Sequence, residues 1–139
     1  MEGEPEHALA VATRALARRD FSERGLRERL QRAGVQPAEA DEALGALLRA
    51  GLVNDGRFAV SRAQALAERG KGNAAIRFDL QQQGLAGEEI EAALGTLEPE
   101  RERAERVIAR RGGGVATAKL LARRGFEEDA VEAAVAHES

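Results

Sequence analysis

The apolar positions of this chain repeat. A shift of 50 positions lays Leu66, Ile76, Leu80, Leu85, Leu94 and Leu97 over Leu16, Leu26, Leu30, Val35, Leu44 and Leu47. Arg69 and Gly84 fall on Arg19 and Gly34 in the same register. A second shift, forward by about 42 with one residue dropped in a loop, gives a weaker copy. There Ile108, Arg111, Leu121, Gly125, Phe126, Val131 and Val135 take the corresponding places. Within each copy the apolar residues recur at helical spacing, and no stretch alternates as a strand does. The pattern predicts an all-α chain of three tandem three-helix repeats, 1–54, 55–98 and 99–139, stacked into an elongated, curved molecule.

Local signals divide each repeat. The first helix is expected from about His7 to Arg18, with Leu9, Ala12 and Leu16 on its apolar face. Ser22 suits the N-cap of the second, although Gly25 stands where a capping box would place Glu or Gln. Leu26, Leu30 and Ala33 should face inward, and Gly34 supplies the stop. Pro37 opens the third helix, with Ala40, Leu44, Leu47 and Leu48 inward. Helices two and three could be read as a helix-turn-helix, but their short glycine turn is common in small helical domains.

Asn54 or Asp55 should cap a fourth helix that ends near Glu68, anchored by Phe58. A fifth, near 73–83, buries Ile76 and Leu80; a sixth, near 88–97, buries Ile90, Leu94 and Leu97. Pro99 opens a seventh with Ala104, Val107 and Ile108 inward, and two short helices follow the triple glycine at 112–114, which reads as a flexible loop. Val131 and Val135 complete the expected core.

Composition narrows what such a chain can do. Four Phe and no Trp or Tyr leave thin cores, so units of this size should need their neighbours. Without cysteine there is neither a disulfide nor a thiolate metal site. The acidic N-terminus has no apolar run, and nothing approaches the ~20 apolar residues of a membrane span, so a soluble, cytoplasmic protein is expected. The net charge of −3 hides an alternation: residues 14–32 sum to +4, 36–56 to −3, 57–84 to +3, 85–105 to −5, 106–125 to +6 and 126–139 to −5. The first two helices of each repeat are basic and the third acidic. Local ion pairs on solvated faces would explain one such run; three in register suggest a basic and an acidic side.

Catalytic constellations are scarce. His7 and His137 lie near opposite ends without patterned neighbours, and no Gly-x-Ser-x-Gly elbow is present. Gly70-Lys71-Gly72 lacks the spacing of a phosphate loop. No enzyme activity, metal or cofactor is expected. The basic residues Arg18, Arg19, Arg57, Arg69, Lys71, Arg77, Arg110, Arg111, Lys119, Arg123 and Arg124 are the candidate partner surface, for phosphates or an acidic protein. Several close a first helix, where a cation also complements the helix dipole. The shortage of aromatics argues against a dedicated single-strand binder.

Leu16-Ala17-Arg18-Arg19-Asp20-Phe21-Ser22, followed by Leu26 and Leu30, resembles the opening of the bacterial RecX family. So do Gly51-Leu52-Val53-Asn54-Asp55, Arg57-Phe58-Ala59 and Arg69-Gly70-Lys71-Gly72, and Leu121 with Arg124-Gly125-Phe126 looks like its third repeat. The likeness runs from about residue 7 to residue 136. It departs at Gln64-Ala65-Leu66, where the family pattern is more basic and aromatic, at Gly25, and at the shortened triple-glycine loop. The resemblance implies three tandem three-helix repeats and a regulator, usually an inhibitor, of the RecA recombinase in DNA repair, recombination and the SOS response. It would bind the RecA–DNA filament along its groove, touching DNA directly or through the filament, and lower ATPase, strand-exchange and coprotease activities. A monomer is expected. Two other classes remain: a helical module on naked DNA, with steep salt dependence, and a protein-interaction scaffold to which the basic residues are dispensable.

Overall fold

The computed structural model describes residues 5–137. Among these are nine helices and no strand. The first unit holds α1 (Pro5–Arg18), α2 (Glu23–Arg32) and α3 (Pro37–Arg49). The second holds α4 (Asp55–Glu68), α5 (Asn73–Gln82) and α6 (Gly87–Gly95), and the third α7 (Glu100–Arg111), α8 (Val115–Arg123) and α9 (Glu128–Ala136). Every extensive side-to-side helix packing is inside one unit, and each unit has its own apolar cluster.

The same signals build each unit. Ser22 caps α2, its Oγ accepting the Gly25 N–H at 3.0 Å. A Cβ on Gly25 would stand 3.1 Å from that oxygen, so the missing side chain leaves the cap room. Asn54 caps α4 by accepting the Arg57 N–H at 2.9 Å. The middle helices all stop in one way: Val35, Leu85 and Phe126 donate their N–H groups back to the carbonyls of Leu30, Leu80 and Leu121. The glycine before each has positive φ, and the apolar residue after it is buried.

Leu26, Leu30, Leu44, Ile76, Leu80 and Leu94 are buried as expected. Other positions differ. In α1 the buried stripe is Ala8, Ala12 and Ala15, with Leu9 and Leu16 only partly covered. Ala33 is the exposed C-cap of α2, Leu48 is 39% exposed, and Leu97 lies partly covered beyond the end of α6. Val131 is half-buried, and Val135 is 46% exposed. Helix α9 is rotated by about one residue relative to α6, presenting Ala130, Ala133 and Ala134 to the core. Alanine lets it approach closely: Gly114 N–H donates to the Ala134 carbonyl at 2.8 Å, and a Cβ on Gly113 would meet the His137 carbonyl oxygen at 2.6 Å. The triple glycine is thus pinned beneath the end of α9 rather than a free loop.

The units join through their middle helices, end to end. At the first joint Ser22 Oγ donates to the Gln83 carbonyl at 2.9 Å, and the Arg24 guanidinium donates to the Gln82 carbonyl. The start of α2 therefore abuts the end of α5. At the second joint Gly72 N–H donates to the Arg124 carbonyl at 2.8 Å and Ala74 N–H to the Gly125 carbonyl at 2.9 Å. Here the start of α5 abuts the end of α8, so closely that a Cβ on Gly72 would collide with the backbone of Phe126. At the second joint orphan N–H groups of one helix start satisfy orphan carbonyls of the next helix end, and at the first joint side chains of the helix start do so. With 10, 10 and 9 residues, the three helices sum to about 45 Å of helix at 1.5 Å per residue.

Each joint carries a second clasp. The first residue of the following unit's first helix is acidic and accepts the first N–H of the preceding middle helix. Asp55 Oδ1 accepts the Glu23 N–H at 2.7 Å, and Glu100 Oε2 accepts the Asn73 N–H at 2.6 Å. Glu100 Oε1 also accepts the Glu127 N–H at 3.2 Å. Burial raises the pKa of Asp55, outweighing the lowering by the Glu23 N–H, and Glu89 and Glu23 add to the rise. A raised carboxyl pKa means the fold favours the protonated form, so this group's contribution to stability falls as pH climbs through the folded pKa. Asp55→Asn keeps the acceptor and removes the charge, whereas Asp55→Ala leaves the Glu23 N–H without it. By denaturant unfolding at pH 7 the Asn variant should match or exceed the parent, and the Ala variant should lose about 1 kcal/mol. An Asn variant as weak as the Ala variant would show that the negative charge itself holds the joint.

Candidate partner interface

Part of the basic excess is structural. In the first unit Arg27 of α2 pairs with Asp41 of α3; 50 positions on, Arg77 of α5 pairs with Glu91 of α6, Nε to Oε2 at 2.9 Å. The alternation of basic and acidic helices is in this respect a cross-link inside each unit. Arg77 also reaches Glu127 at 2.9 Å, tying the second unit to the third. These bonds, to Glu91 first and then to Glu127, raise the Arg77 pKa, and the same contact lowers that of Glu91. Arg62 grips Asp79 with two bonds, of 2.6 and 2.9 Å. Arg57 donates to the carbonyls of Gly51 and Leu52, where α3 gives way to α4.

Arg103 is the most committed of all. It is 8% exposed, and its guanidinium donates to the Glu98 carbonyl at 2.9 Å, the Lys71 carbonyl at 3.0 Å and Asn73 Oδ1. It also lies 5.8 Å from the ring centroid of Phe126. Burial lowers its pKa, against the raising effect of Glu100 and Glu98. The second joint is thereby built around one buried cation.

Arg18, Arg19, Arg69, Lys71, Arg110, Arg111, Lys119, Arg123 and Arg124 make no ion pair among the described residues. Two gatherings form from this set. In the first unit Arg18 and Arg19, at the end of α1, line a groove with Arg29 and Arg32 of α2, and no carboxylate lines it. The Arg19 guanidinium lies 3.9 Å from the centroid of the Phe21 ring, which holds it in place. At the second joint Arg110 and Arg124 line a groove with Arg103, Arg106 and Glu68. Arg106 there is engaged by Glu98, which raises the Arg106 pKa and lowers that of Glu98. Between them the second unit breaks the basic pattern: Glu68, Asp79 and Gln82 stand where the first unit has Arg18, Arg29 and Arg32. Arg69, Lys71, Arg111, Lys119 and Arg123 are exposed but line neither groove.

Arg29, Arg32, Arg103 and Arg106 lie outside the set chosen from the sequence. Arg29 and Arg32 had a signal, since both fall in the last turn of a basic helix. Arg103 had none, because burial of an arginine beneath carbonyls leaves no periodic trace. Among the described residues no group of His, Cys, Asp or Glu is placed to hold a metal, and no helix is long and apolar enough to cross a membrane.

The comparisons with known proteins agree with this architecture. Residues 8–47 match the model of the first three-helix domain of RecX, and residues 54–94 that of the second. The regulatory protein RecX of Halorhodospira halophila is 36% identical, the match covering 91% of this chain and 84% of that protein. The chain belongs to the RecX family. A second RecX, from Stenotrophomonas maltophilia, is 32% identical over 88% of this chain and 82% of its own length. The crystal structure of RecX from Lactobacillus salivarius superposes with a TM-score of 0.79, covering 94% of this chain and 93% of that one, at 18% identity. Another RecX crystal structure gives 0.77, over 92% and 70%, at 20% identity. At such identities these structures speak for the RecX fold alone.

Arg110 and Arg111 are exposed in the last turn of α7 and hold nothing together. Reversing both to glutamate should cost only about 1 kcal/mol of stability. It should still weaken partner binding, and the parent's binding should fall as salt rises. Titrating parent and double variant at low and high salt on the filament proposed as partner below checks this. Equal affinities throughout would mean these arginines are solvated surface only.

Proposed function

We propose that this RecX-family chain regulates the RecA recombinase, as an inhibitor, by lying along the RecA–DNA filament. Family membership supports a protein partner. The observation that carries the reading is the distribution of uncommitted arginines. Many other cations of the chain are spent inside the fold, whereas Arg18, Arg19, Arg29 and Arg32 at one end, and Arg110 and Arg124 at the second joint, face a groove and make no ion pair among the described residues. A column that displays arginine forks at separated points suits a repeating polyanionic surface, where two weak contacts reinforce one another. The filament offers DNA phosphates and acidic protein side by side, and the grooves provide for both.

Arg57 and Arg77 have a supporting part in this reading: they hold the joints that fix the spacing of the grooves. Arg69, Lys71, Arg111, Lys119 and Arg123 add general positive potential. The test is a titration into RecA assembled on single-stranded DNA, following ATP hydrolysis and strand exchange. Suppression at ratios near or below one chain per RecA is expected. Unchanged ATPase and strand exchange at a large excess would overturn the reading.

A further inference from the structure

The column of middle helices is closed at one end and open at the other. At the α8 end the helix start is covered by the chain itself, through the Gly114 N–H to Ala134 carbonyl bond and the His137 carbonyl over Gly113. At the α2 end nothing plays that part. Arg32, Ala33 and Gly34 are the equivalents of Gln82, Gln83 and Gly84, and Ala33 and Gly34 those of Arg124 and Gly125. At the ends of α5 and α8 the carbonyls of Gln83, Gln82, Arg124 and Gly125 receive a hydroxyl, a guanidinium and two backbone N–H groups across the joints. Among the described residues the carbonyls of Arg32, Ala33 and Gly34 receive no hydrogen bond, all three residues are exposed, and a Cβ on Gly34 would meet nothing within 4 Å.

We infer that this open end is a docking site for the N-terminal end of a helix from another protein, one that carries acidic residues in its first turn. The occupant's donors follow from the second joint, where backbone N–H groups of a helix start fill the carbonyls, and its acidic residues from the arginines around the open end. Exposed carbonyls at a helix end are partial negative charges and require donors, which the free N–H groups of a helix start provide. Arg29 and Arg32, in the last turn of α2, and Arg18 and Arg19 beside them are cations around that end that make no ion pair among the described residues. They suit carboxylates placed just behind those N–H groups, as Glu23 is placed at the start of α2. A phosphate would satisfy the arginines but has no donor for the carbonyls. In a second copy of this chain the starts of α2 and α5 are used in the joints and that of α8 is covered, but α6 opens with the exposed Gly87-Glu88. Amide NMR shifts at the open end that grow with the concentration of the chain alone would make that copy the occupant and overturn the proposal. The site lies beyond the proposed action on RecA in that it specifies what element of a partner is gripped.

The experiment contains no RecA, so its outcome is separate from that of the ATPase titration. The probe is a soluble alanine-rich helical peptide of about 15 residues, long enough to hold a helix, opening with Ser-Glu-Glu. Its control has the same composition with both glutamates in the last turn. Each is titrated into the isotope-labelled full chain while backbone amide NMR shifts are followed. Saturable shifts confined to Arg29–Val35 and the end of α1, from the first peptide only and lost in Arg29→Glu/Arg32→Glu, are the expected result. No shift at millimolar peptide, or equal shifts from both peptides, overturns the proposal. So does a single-stranded oligonucleotide that moves these amides when the peptide does not, which would make the end a phosphate site.

Discussion

The rest of the structure depends on the meeting of helix ends. A helix of 9 or 10 residues is marginal alone, because it leaves four N–H groups and four carbonyls unsatisfied for a handful of internal bonds. Here the three middle helices cancel part of that deficit against one another. Arg124 and Gly125 offer carbonyls to Gly72 and Ala74, and Gln82 and Gln83 offer theirs to Arg24 and Ser22. Each net bond contributes only about 1 kcal/mol, but an unsatisfied buried group would cost more than that. Thin alanine-rich clusters can therefore persist, since each unit supplies its neighbour with polar closure that neither could provide alone.

The two joints are not equal. The second has backbone contact, the buried Arg103, the two-armed Glu100 and the Arg77–Glu127 pair. The first rests on Ser22, Arg24 and Asp55, and its carboxylate is held against a desolvation that raises its pKa. The first unit is accordingly the more easily displaced of the three, and it carries the acid-free arginine groove. The uncommitted charge thus sits on the unit held by the fewer bonds.

Much of this was legible in the sequence, for stated reasons. Leu26, Leu30, Ile76 and Leu80 announce the middle helices because a buried stripe must recur with the helical period. Ser22, Asn54 and Pro37 mark helix starts because their chemistry suits few other places. The joints escaped because their acceptors are backbone carbonyls, which no side chain signals. Arg103 escaped for a related reason: its partners are two carbonyls and one amide oxygen, where charge patterning looks for carboxylates. Val135 was misplaced because repeat register transfers residue types but not rotation, and an alanine-rich α9 is free to turn. Within the basic set, charge alone could not separate Arg77, locked between Glu91 and Glu127, from Arg110 and Arg124 at an open groove.

The most direct measurement of the end-to-end column is native-state hydrogen exchange at Gly72 and Ala74, whose N–H groups cross the second joint. Both precede the first internally bonded turn of α5 and would be unprotected in an isolated helix. If the joint holds the units together, both amides should exchange only by the opening that also releases Ile76 and Leu80, with similar protection. Exchange at the rate of an unstructured peptide, while Ile76 and Leu80 stay protected, would show the second and third units standing independently and contradict the account.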